Sequence, residues 1–185
     1  MTTDQRLDQR FRLTVPEGDH LERAICDHCG FIDYHNPRVV VGALPIFENR
    51  ILLARRAIEP RRGYWTVPGG FMEKGESLQQ GAARETWEEC RAQIEVGPLL
   101  GMFTVPHIAQ VQVFFYADVP DGKAEAGPES LEVRWFAFDD IPWDDYSFPA
   151  SKKTIAHYLR LKDSPQASWV PRVETLEPVS PREAL

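Results

Sequence analysis

The sequence predicts an α/β or α+β sandwich rather than a run of parallel βαβ units. Short apolar runs typical of strands outnumber helical patterns along the chain. One predicted helix falls in the middle of the chain and one near its end, so most strands follow other strands directly. The chain has 185 residues and 43% hydrophobic residues, which is enough for one buried core. We therefore expect one domain with a small appendage.

The first strands of the predicted core form a hairpin. Residues 39–47 (VVVGALPIF) are apolar and rich in β-branched side chains, and residues 51–56 (ILLARR) follow after a turn at 48–50. Pro45 predicts an edge strand or a bulge, because proline cannot donate to a strand ladder. The segment GYWTVPGG continues as a short strand that ends at the Pro-Gly-Gly of 68–70.

A helix is predicted from about Ser77 to Arg91, because Ser77 and Gln80 match a capping-box start. Three more strands follow in the runs IEVGPLLGMFTV, AQVQVFFYADV and LEVRWFAF. A last helix covers about 150–161. The segment from Ser164 onward holds four prolines and is expected to be mostly unstructured.

The charge balance limits the partners of the chain. Lysine and arginine number 21 against 28 aspartates and glutamates, which gives a net charge of −7. Bulk attraction to nucleic acid or to an anionic membrane is therefore disfavoured, and neither is an expected partner. The first fifteen residues lack the apolar stretch of a signal peptide, and no uncharged run could span a bilayer. With three cysteines and no disulfide framework, the chain is expected to be cytoplasmic.

The segment GGFMEKGESLQQGAARETWEECRA carries the chemistry. On a helix, Glu85, Glu88 and Glu89 stand at i, i+3 and i+4, within about 6 Å of each other. Such carboxylates repel unless a hard divalent cation lies among them, and Mg²⁺ or Mn²⁺ takes oxygen ligands alongside substrate phosphates. The alternative is a solvated acidic face.

The spacing within this segment favours the metal site. A glycine, a glutamate, an Arg-Glu pair and a Glu-Glu pair fall at the positions of the Nudix box, and they are Gly70, Glu76, Arg84, Glu85, Glu88 and Glu89. The chain resembles the Nudix family over roughly residues 36–158. The resemblance implies a Nudix-like α/β/α sandwich with a mixed, largely antiparallel sheet. Arg91 stands where the family has a glycine. Because glycine adopts the left-handed conformation of a helix C-cap more readily than arginine, the sequence leaves the end of the helix uncertain.

The resemblance implies a Nudix-type nucleotide pyrophosphatase, a metal-dependent hydrolase of diphosphate bonds. The metal ligands that it implies for Mg²⁺ (or Mn²⁺) are the Gly70 carbonyl and the carboxylates of Glu85, Glu88 and Glu89. Arg84 would orient the glutamates. The general base varies within the family and most often follows the box at a distance, so Glu129 and Glu132 are the candidates.

Four arginines in RRAIEPRRG stand out just before the predicted catalytic loop, and they are Arg55, Arg56, Arg61 and Arg62. They would hold a substrate phosphate, or they are solvated loop charges. The overall likeness to zinc-ribbon Nudix hydrolases implies a nucleoside diphosphate linked to another moiety, with ADP-ribose or FAD ahead of NADH. The alternative function is a nucleotide-sensing Nudix-like module that cleaves weakly, although no box glutamate is lost. The likeness also implies a possible homodimer.

Cys26 and Cys29 match half of a zinc ribbon, in a segment whose lack of a sustained helical or strand period predicts an irregular appendage. Relatives usually carry a second cysteine pair upstream, and here none precedes Cys26. Structural zinc normally takes four protein ligands. Two more would have to come from the histidines at 20, 28 and 35 or from another subunit. Otherwise the pair is an unliganded knuckle or a redox site.

The resemblance divides the chain into three segments. Residues 1–37 form a zinc-ribbon-like appendage, residues 38–163 form the Nudix hydrolase domain, and residues 164–185 form a proline-containing tail.

Overall fold

The computed structural model describes residues 10–178. They fall into two compact units, one ending at Asn36 and the other beginning at Pro37. The smaller unit is a three-stranded antiparallel sheet, with strands β1 (Phe11–Thr14), β2 (Arg23–Cys26) and β3 (Ile32–Asp33). The expectation of an irregular appendage is therefore wrong for these residues. Strands of two to four residues are too short to give a visible period.

The larger unit is built on an eight-stranded sheet. Its strands are β4 (Arg38–Phe47), β5 (Arg50–Arg56), β6 (Trp65–Thr66), β7 (Gly69–Phe71), β8 (Glu95–Val105), β9 (Gln110–Asp118), β10 (Ser130–Ala137) and β11 (Arg172–Thr175). The strand order is β10-β5-β4-β9-β8-β11, with β6 beside β5 and β7 beside β4. Among the strand pairs of residues 10–178, only β4–β9 and β8–β11 are parallel. The prediction of a mixed, largely antiparallel sheet is confirmed.

Two helices cover the sheet, α1 (Leu78–Cys90) and α2 (Pro149–Leu161). On one face Leu44 of β4 packs in a core with Ile155 of α2, and on the other face Val41 packs with Ala82 of α1. Burial of both faces explains why β4 is a continuous apolar run rather than an alternating one. Among residues 10–178, no helix is both long and apolar enough to cross a bilayer.

Pro45 lies in the interior of the sheet, so the prediction of an edge position is wrong. β4 pairs with β9 on one side; on the other it pairs with β7 up to Gly42 and with β5 only from Ile46. The Ala43 N–H donates to Pro68 O on that second side. Pro45 lies two residues further on, so its nitrogen faces the gap between the two partners. No ladder hydrogen bond is lost there.

Helix α1 begins as the sequence predicts. The Gln80 N–H donates to Ser77 Oγ over 3.2 Å, and the Ser77 N–H donates to Gln80 Oε1 over 2.8 Å. Arg91 caps the C-terminal end of the helix; its backbone is left-handed (φ 49°, ψ 21°) and its N–H donates to Trp87 O. The cap that usually selects glycine is therefore formed by arginine, whose guanidinium lies 5.7 Å from the centre of the Trp87 ring.

We expect Arg91→Gly to be more stable than Arg91→Ala by about 0.5–1 kcal/mol. Both variants lose the contact with Trp87, so this contact does not contribute to the difference in their free energies of unfolding. The difference reports the cost of a left-handed backbone at alanine. The greater freedom of glycine in the unfolded chain makes it smaller. Urea denaturation of both variants measures it. Equal stabilities would contradict a left-handed residue at position 91.

The segment after α2 is ordered over much of its length, so the expectation of a mostly unstructured tail is wrong for residues 166–176. β11 pairs in parallel with β8. Trp169 packs edge-on against Tyr116 and Tyr158, with ring centres 5.4 and 5.7 Å apart. Pro171 lies just outside the strand and removes no ladder donor from it. Residues 179–185 lie outside the described part of the chain.

Candidate active site

Helix α1 and strand β7 border a cleft of about 710 Å³. Glu85, Glu88 and Glu89 line it from the helix, and Gly70 lines it from the strand. The ladder between β7 and β4 holds Gly70 in place, opposite Val41. The structure thus brings the four predicted metal ligands to one cleft.

Glu89 is the most buried of these carboxylates, with 7% of the residue exposed. Its Oε2 accepts a hydrogen bond from the Gly69 N–H over 3.2 Å. Burial is the main cause that raises the pKa of Glu89 to about 8, and the nearby charges of Glu85 and Glu129 contribute to the rise. Burial also raises the pKa of Glu85. Negative charge at these two positions is therefore costly unless a cation accompanies it.

Arg84 connects the acidic side chains. Its guanidinium donates to Glu76 over 2.9 and 3.0 Å, to Glu85 over 2.8 Å and to Glu88 over 2.9 Å. It also donates to the Phe71 carbonyl over 3.0 Å. This guanidinium is the main cause that lowers the pKa of Glu76 to about 2. Arg84 therefore fixes the side chains of α1 relative to the loop before it and to the end of β7.

The donors around the cleft are oxygens, which is the ligand type that Mg²⁺ and Mn²⁺ take. A Cβ on Gly70 would come within 2.6 Å of the Glu85 carboxylate, so only glycine lets that carboxylate approach the backbone here. The carboxylates of Glu85, Glu88 and Glu89 do not converge on one point. Within residues 10–178, no three acidic, His or Cys side chains lie close enough to share an ion. Arg84 occupies the space between Glu85 and Glu88. Because 53% of the Glu88 side chain is exposed, it can rotate toward a cation.

The loop at 122–129 carries Glu129 to the cleft. The Gly127 N–H donates to Glu89 O over 2.9 Å, which docks the loop on the end of α1. A Cβ on Gly127 would lie 1.8 Å from the carbonyl oxygen of Glu88, so the approach needs glycine. Glu129 lines the cleft as a result.

Glu132 has a different environment. Its carboxylate accepts hydrogen bonds from Arg134 over 2.6 and 3.1 Å and lies 3.9 Å from Arg55. It is not among the residues that line the cleft. Of the two predicted bases, the structure brings only Glu129 to the cleft that the predicted metal ligands line.

The arginine cluster divides in a similar way. Arg56 lines the cleft, with its guanidinium 5.1 Å from the centre of the Phe148 ring and its Nε donating to Pro60 O. The other three predicted phosphate ligands are not among the lining residues, and they are Arg55, Arg61 and Arg62. Arg55 instead donates to Gly63 O over 2.8 Å.

Sequence reasoning missed several residues of the cleft. Arg91 lines it, as do the apolar side chains of Ile58 and Phe71, which are 41% and 45% exposed. Arg91 stands where the family has glycine, and this departure could have marked position 91 as part of the cleft. For Ile58 no such signal exists, because only the fold brings its loop to the helix.

The smaller unit holds the cysteine pair at the end of β2. The Gly30 N–H donates to Cys26 O over 2.9 Å, which closes a tight turn. The N–H groups of Cys29 and His28 point at the Cys26 sulfur and lower the pKa of its thiol. No third ligand joins the two thiols within residues 10–178, so the described chain alone does not fit four-ligand zinc. Cys90 is buried in the core, where burial raises the pKa of its thiol.

Comparison with known proteins identifies the architecture. The NUDIX domain model matches residues 36–158, and a model described as Nudix N-terminal, a zinc ribbon, matches residues 9–35. The chain is 41% identical to a NUDIX hydrolase from Nitrosomonas europaea, whose crystal structure superposes with a TM-score of 0.84 over 95% of this chain and 99% of that one.

Two curated proteins carry more specific names. An ADP-ribose pyrophosphatase from Methanocaldococcus jannaschii is 31% identical over 70% of this chain and 78% of its own length. The NAD-capped RNA hydrolase NudC from Salmonella typhi is 32% identical over 64% of this chain. The match spans only 46% of NudC.

Proposed function

Since this chain belongs to the Nudix family and is a Nudix pyrophosphatase, we propose that it cleaves the diphosphate of a nucleoside diphosphate linked to another moiety. ADP-ribose and FAD are the favoured substrates, ahead of NADH. The observation that carries this proposal is the convergence of Glu85, Glu88 and Glu89 on one cleft beside Gly70. No box glutamate is replaced, which disfavours a module that only senses nucleotides.

The proposed ligands of a divalent cation are the three carboxylates and the Gly70 carbonyl. Bound Mg²⁺ or Mn²⁺ would neutralise the diphosphate and lower the pKa of the attacking water. The raised pKa values of Glu85 and Glu89 support this assignment, because a cation would stabilise the charge that burial destabilises. Arg84 acts on the ligands through its hydrogen bonds to Glu85 and Glu88.

Glu129 is the proposed general base. As a water oxygen attacks one phosphorus, its proton passes to the Glu129 carboxylate and the bond from that phosphorus to the bridging oxygen breaks. Two phosphate monoesters leave, one of which is AMP when the substrate is ADP-ribose or FAD. Arg56 stands at the same cleft and is suited to a phosphate oxygen.

The substrate class rests on two supports. The Methanocaldococcus relative, which is named an ADP-ribose pyrophosphatase, matches over most of both chains. Ile58 and Phe71 also give the cleft exposed apolar surface beside its charged residues, which suits a ligand with a ring and a diphosphate.

Hydrolysis is expected to need a divalent cation, falling at least roughly 100-fold after exhaustive EDTA treatment and returning with Mg²⁺ or Mn²⁺. The test is incubation with ADP-ribose, FAD, NADH, coenzyme A and diadenosine polyphosphates, with products identified by mass spectrometry. AMP from ADP-ribose or FAD supports the proposal. Nucleotide binding without any product would favour the sensing module, and full activity in EDTA would exclude the metal mechanism.

A further inference from the structure

A second cavity adjoins the cleft that the glutamates line. It has a volume of about 270 Å³, and most of the side chains around it are apolar or aromatic, such as Ile108 and Phe148. Arg56 and the three residues of β7 line both cavities, so one ligand can occupy the two at once. Ligand pockets usually measure roughly 300–1,000 Å³, so a cavity of this size suits one ring system of a larger ligand.

The register of three strands sets the floor of this second cavity. Val40 of β4 lies opposite Phe71 of β7 on one side and opposite Gln112 of β9 on the other, so the three side chains form a row on one face of the sheet. All three line the cavity. Since neighbouring strands lie about 4.8 Å apart, β7 and β9 are separated by roughly 10 Å at this row. A flat ring that lies over Val40 therefore has Phe71 at one edge and Gln112 at the other.

Two glutamines of β9 bring amide groups to this apolar cavity. Gln110 and Gln112 share one face of the strand with Phe114 and Tyr116, which are buried in the core that includes α2. Val113, on the opposite face, packs in the core with α1. The two amides stand at the end of the strand where the second cavity takes the place of the core. Their position on an otherwise apolar face indicates a polar ligand in the cavity.

The two amides hold each other in place and keep hydrogen-bonding groups for a ligand. Gln112 Nε2 donates to Gln110 Oε1 over 2.9 Å. The two side chains make no other hydrogen bond within residues 10–178, so Gln112 retains its carbonyl oxygen and a second N–H. An acceptor beside a donor pairs with adenine, whose N6 donates and whose N7 accepts. Guanine and hypoxanthine carry an oxygen in place of N6, which would face the amide oxygen without a proton between them.

We infer that the second cavity binds the adenine ring of the substrate, and that Gln112 and Gln110 select adenine over guanine and hypoxanthine. This inference rests on the proposed function and assigns the part of the substrate beyond the diphosphate. Gln112 pairs with the base, and Gln110 is a positioning residue that holds the Gln112 amide. Arg56, whose guanidinium lies 5.1 Å from the centre of the Phe148 ring, lines both cavities and is placed for the phosphate next to the adenosine.

The test compares ADP-ribose with IDP-ribose, which carries hypoxanthine in place of adenine, at saturating Mg²⁺. The wild-type kcat/KM is expected to favour ADP-ribose at least roughly 10-fold, because a paired amide and base discriminate by about that factor. Gln112→Leu should lower this preference to less than about 3-fold, mainly by lowering kcat/KM for ADP-ribose, and Gln110→Leu should lower it by a smaller factor. Gln93→Leu is the matched control, since Gln93 is exposed between α1 and β8 and lines neither cavity. It should keep the full preference.

Thermal unfolding of each variant checks that the protein remains folded, and the comparison of the two substrates on the wild type needs no variant. Equal wild-type kcat/KM for ADP-ribose and IDP-ribose would overturn the inference and leave the proposed function standing, as would a preference that survives in Gln112→Leu. If neither substrate is cleaved, the proposed function fails, and binding then decides the inference. AMP should bind the wild type at least roughly 10-fold more tightly than IMP, and equal affinities would overturn the assignment of the cavity.

Discussion

Glu89→Gln is expected to lower the rate of hydrolysis by at least roughly 10²–10³ while the fold remains intact. Gln has nearly the same shape, and its amide oxygen can still accept from the Gly69 N–H. What disappears is a negative charge at the proposed metal ligand, and each tenfold in rate corresponds to about 1.4 kcal/mol of barrier. Steady-state kinetics with ADP-ribose at saturating Mg²⁺ measures the loss.

The same variant is expected to stabilise the metal-free protein at high pH. The folded pKa of Glu89 is about 8, above the 4.5 of an ordinary glutamate. Stability of the metal-free protein is therefore lost as the pH rises from about 4.5 through 8, because over this range the unfolded chain releases a proton that the folded protein retains. Gln does not ionise, so the melting temperature of the variant should exceed that of the wild type at pH 8, and the gap should narrow toward pH 5.

Glu95→Gln is the matched control, since Glu95 is exposed at the start of β8 and is not among the cleft residues. It should change neither turnover nor the pH dependence of melting. Wild-type turnover in Glu89→Gln would mean that the three glutamates form only a solvated face.

Glu129→Gln and Glu132→Gln are expected to differ sharply, although the two residues are three positions apart. Glu129 lines the cleft beside the proposed metal ligands and is the proposed general base, and loss of a general base costs roughly 10²–10⁴ in rate. Glu132 is held by Arg134 and lies outside the cleft lining, so its loss should change turnover by only a few-fold. Single-turnover kinetics of both variants at the same Mg²⁺ concentration makes the comparison. A larger loss of rate in Glu132→Gln than in Glu129→Gln would assign the general base to Glu132 in β10.

The shared position of the three glutamates could be predicted because it is local. Three glutamates within five residues of one helix share a face whatever the rest of the chain does, and Ser77 and Gln80 cap that helix through bonds only three residues apart. The choice between Glu129 and Glu132 is not local. It depends on the docking of the loop at 122–129 on the end of α1 through the Gly127 N–H, which no pattern within the loop reveals.

The fold was predictable to a similar extent and for a similar reason. Long strands such as β4 and β9 can be predicted from their apolar runs. Pro45 and the tail were misread because both depend on partners distant in sequence. The proline is tolerated only because β5 and β7 leave a gap beside it. β11 has only four residues, two of them exposed, and it forms only by pairing with β8, about 70 positions earlier.

The parallel pairing of β11 with β8 also has a consequence for biosynthesis. While the chain is still on the ribosome, strands β4 to β10 can assemble, but the outer hydrogen-bonding edge of β8 stays unpaired until residue 176 has left the exit tunnel. An open edge is a template for the strands of other chains, and neighbouring ribosomes on one messenger hold identical chains close together. Closure of this edge therefore waits for β11, and the interval before it is when newly made chains are most prone to aggregate with one another.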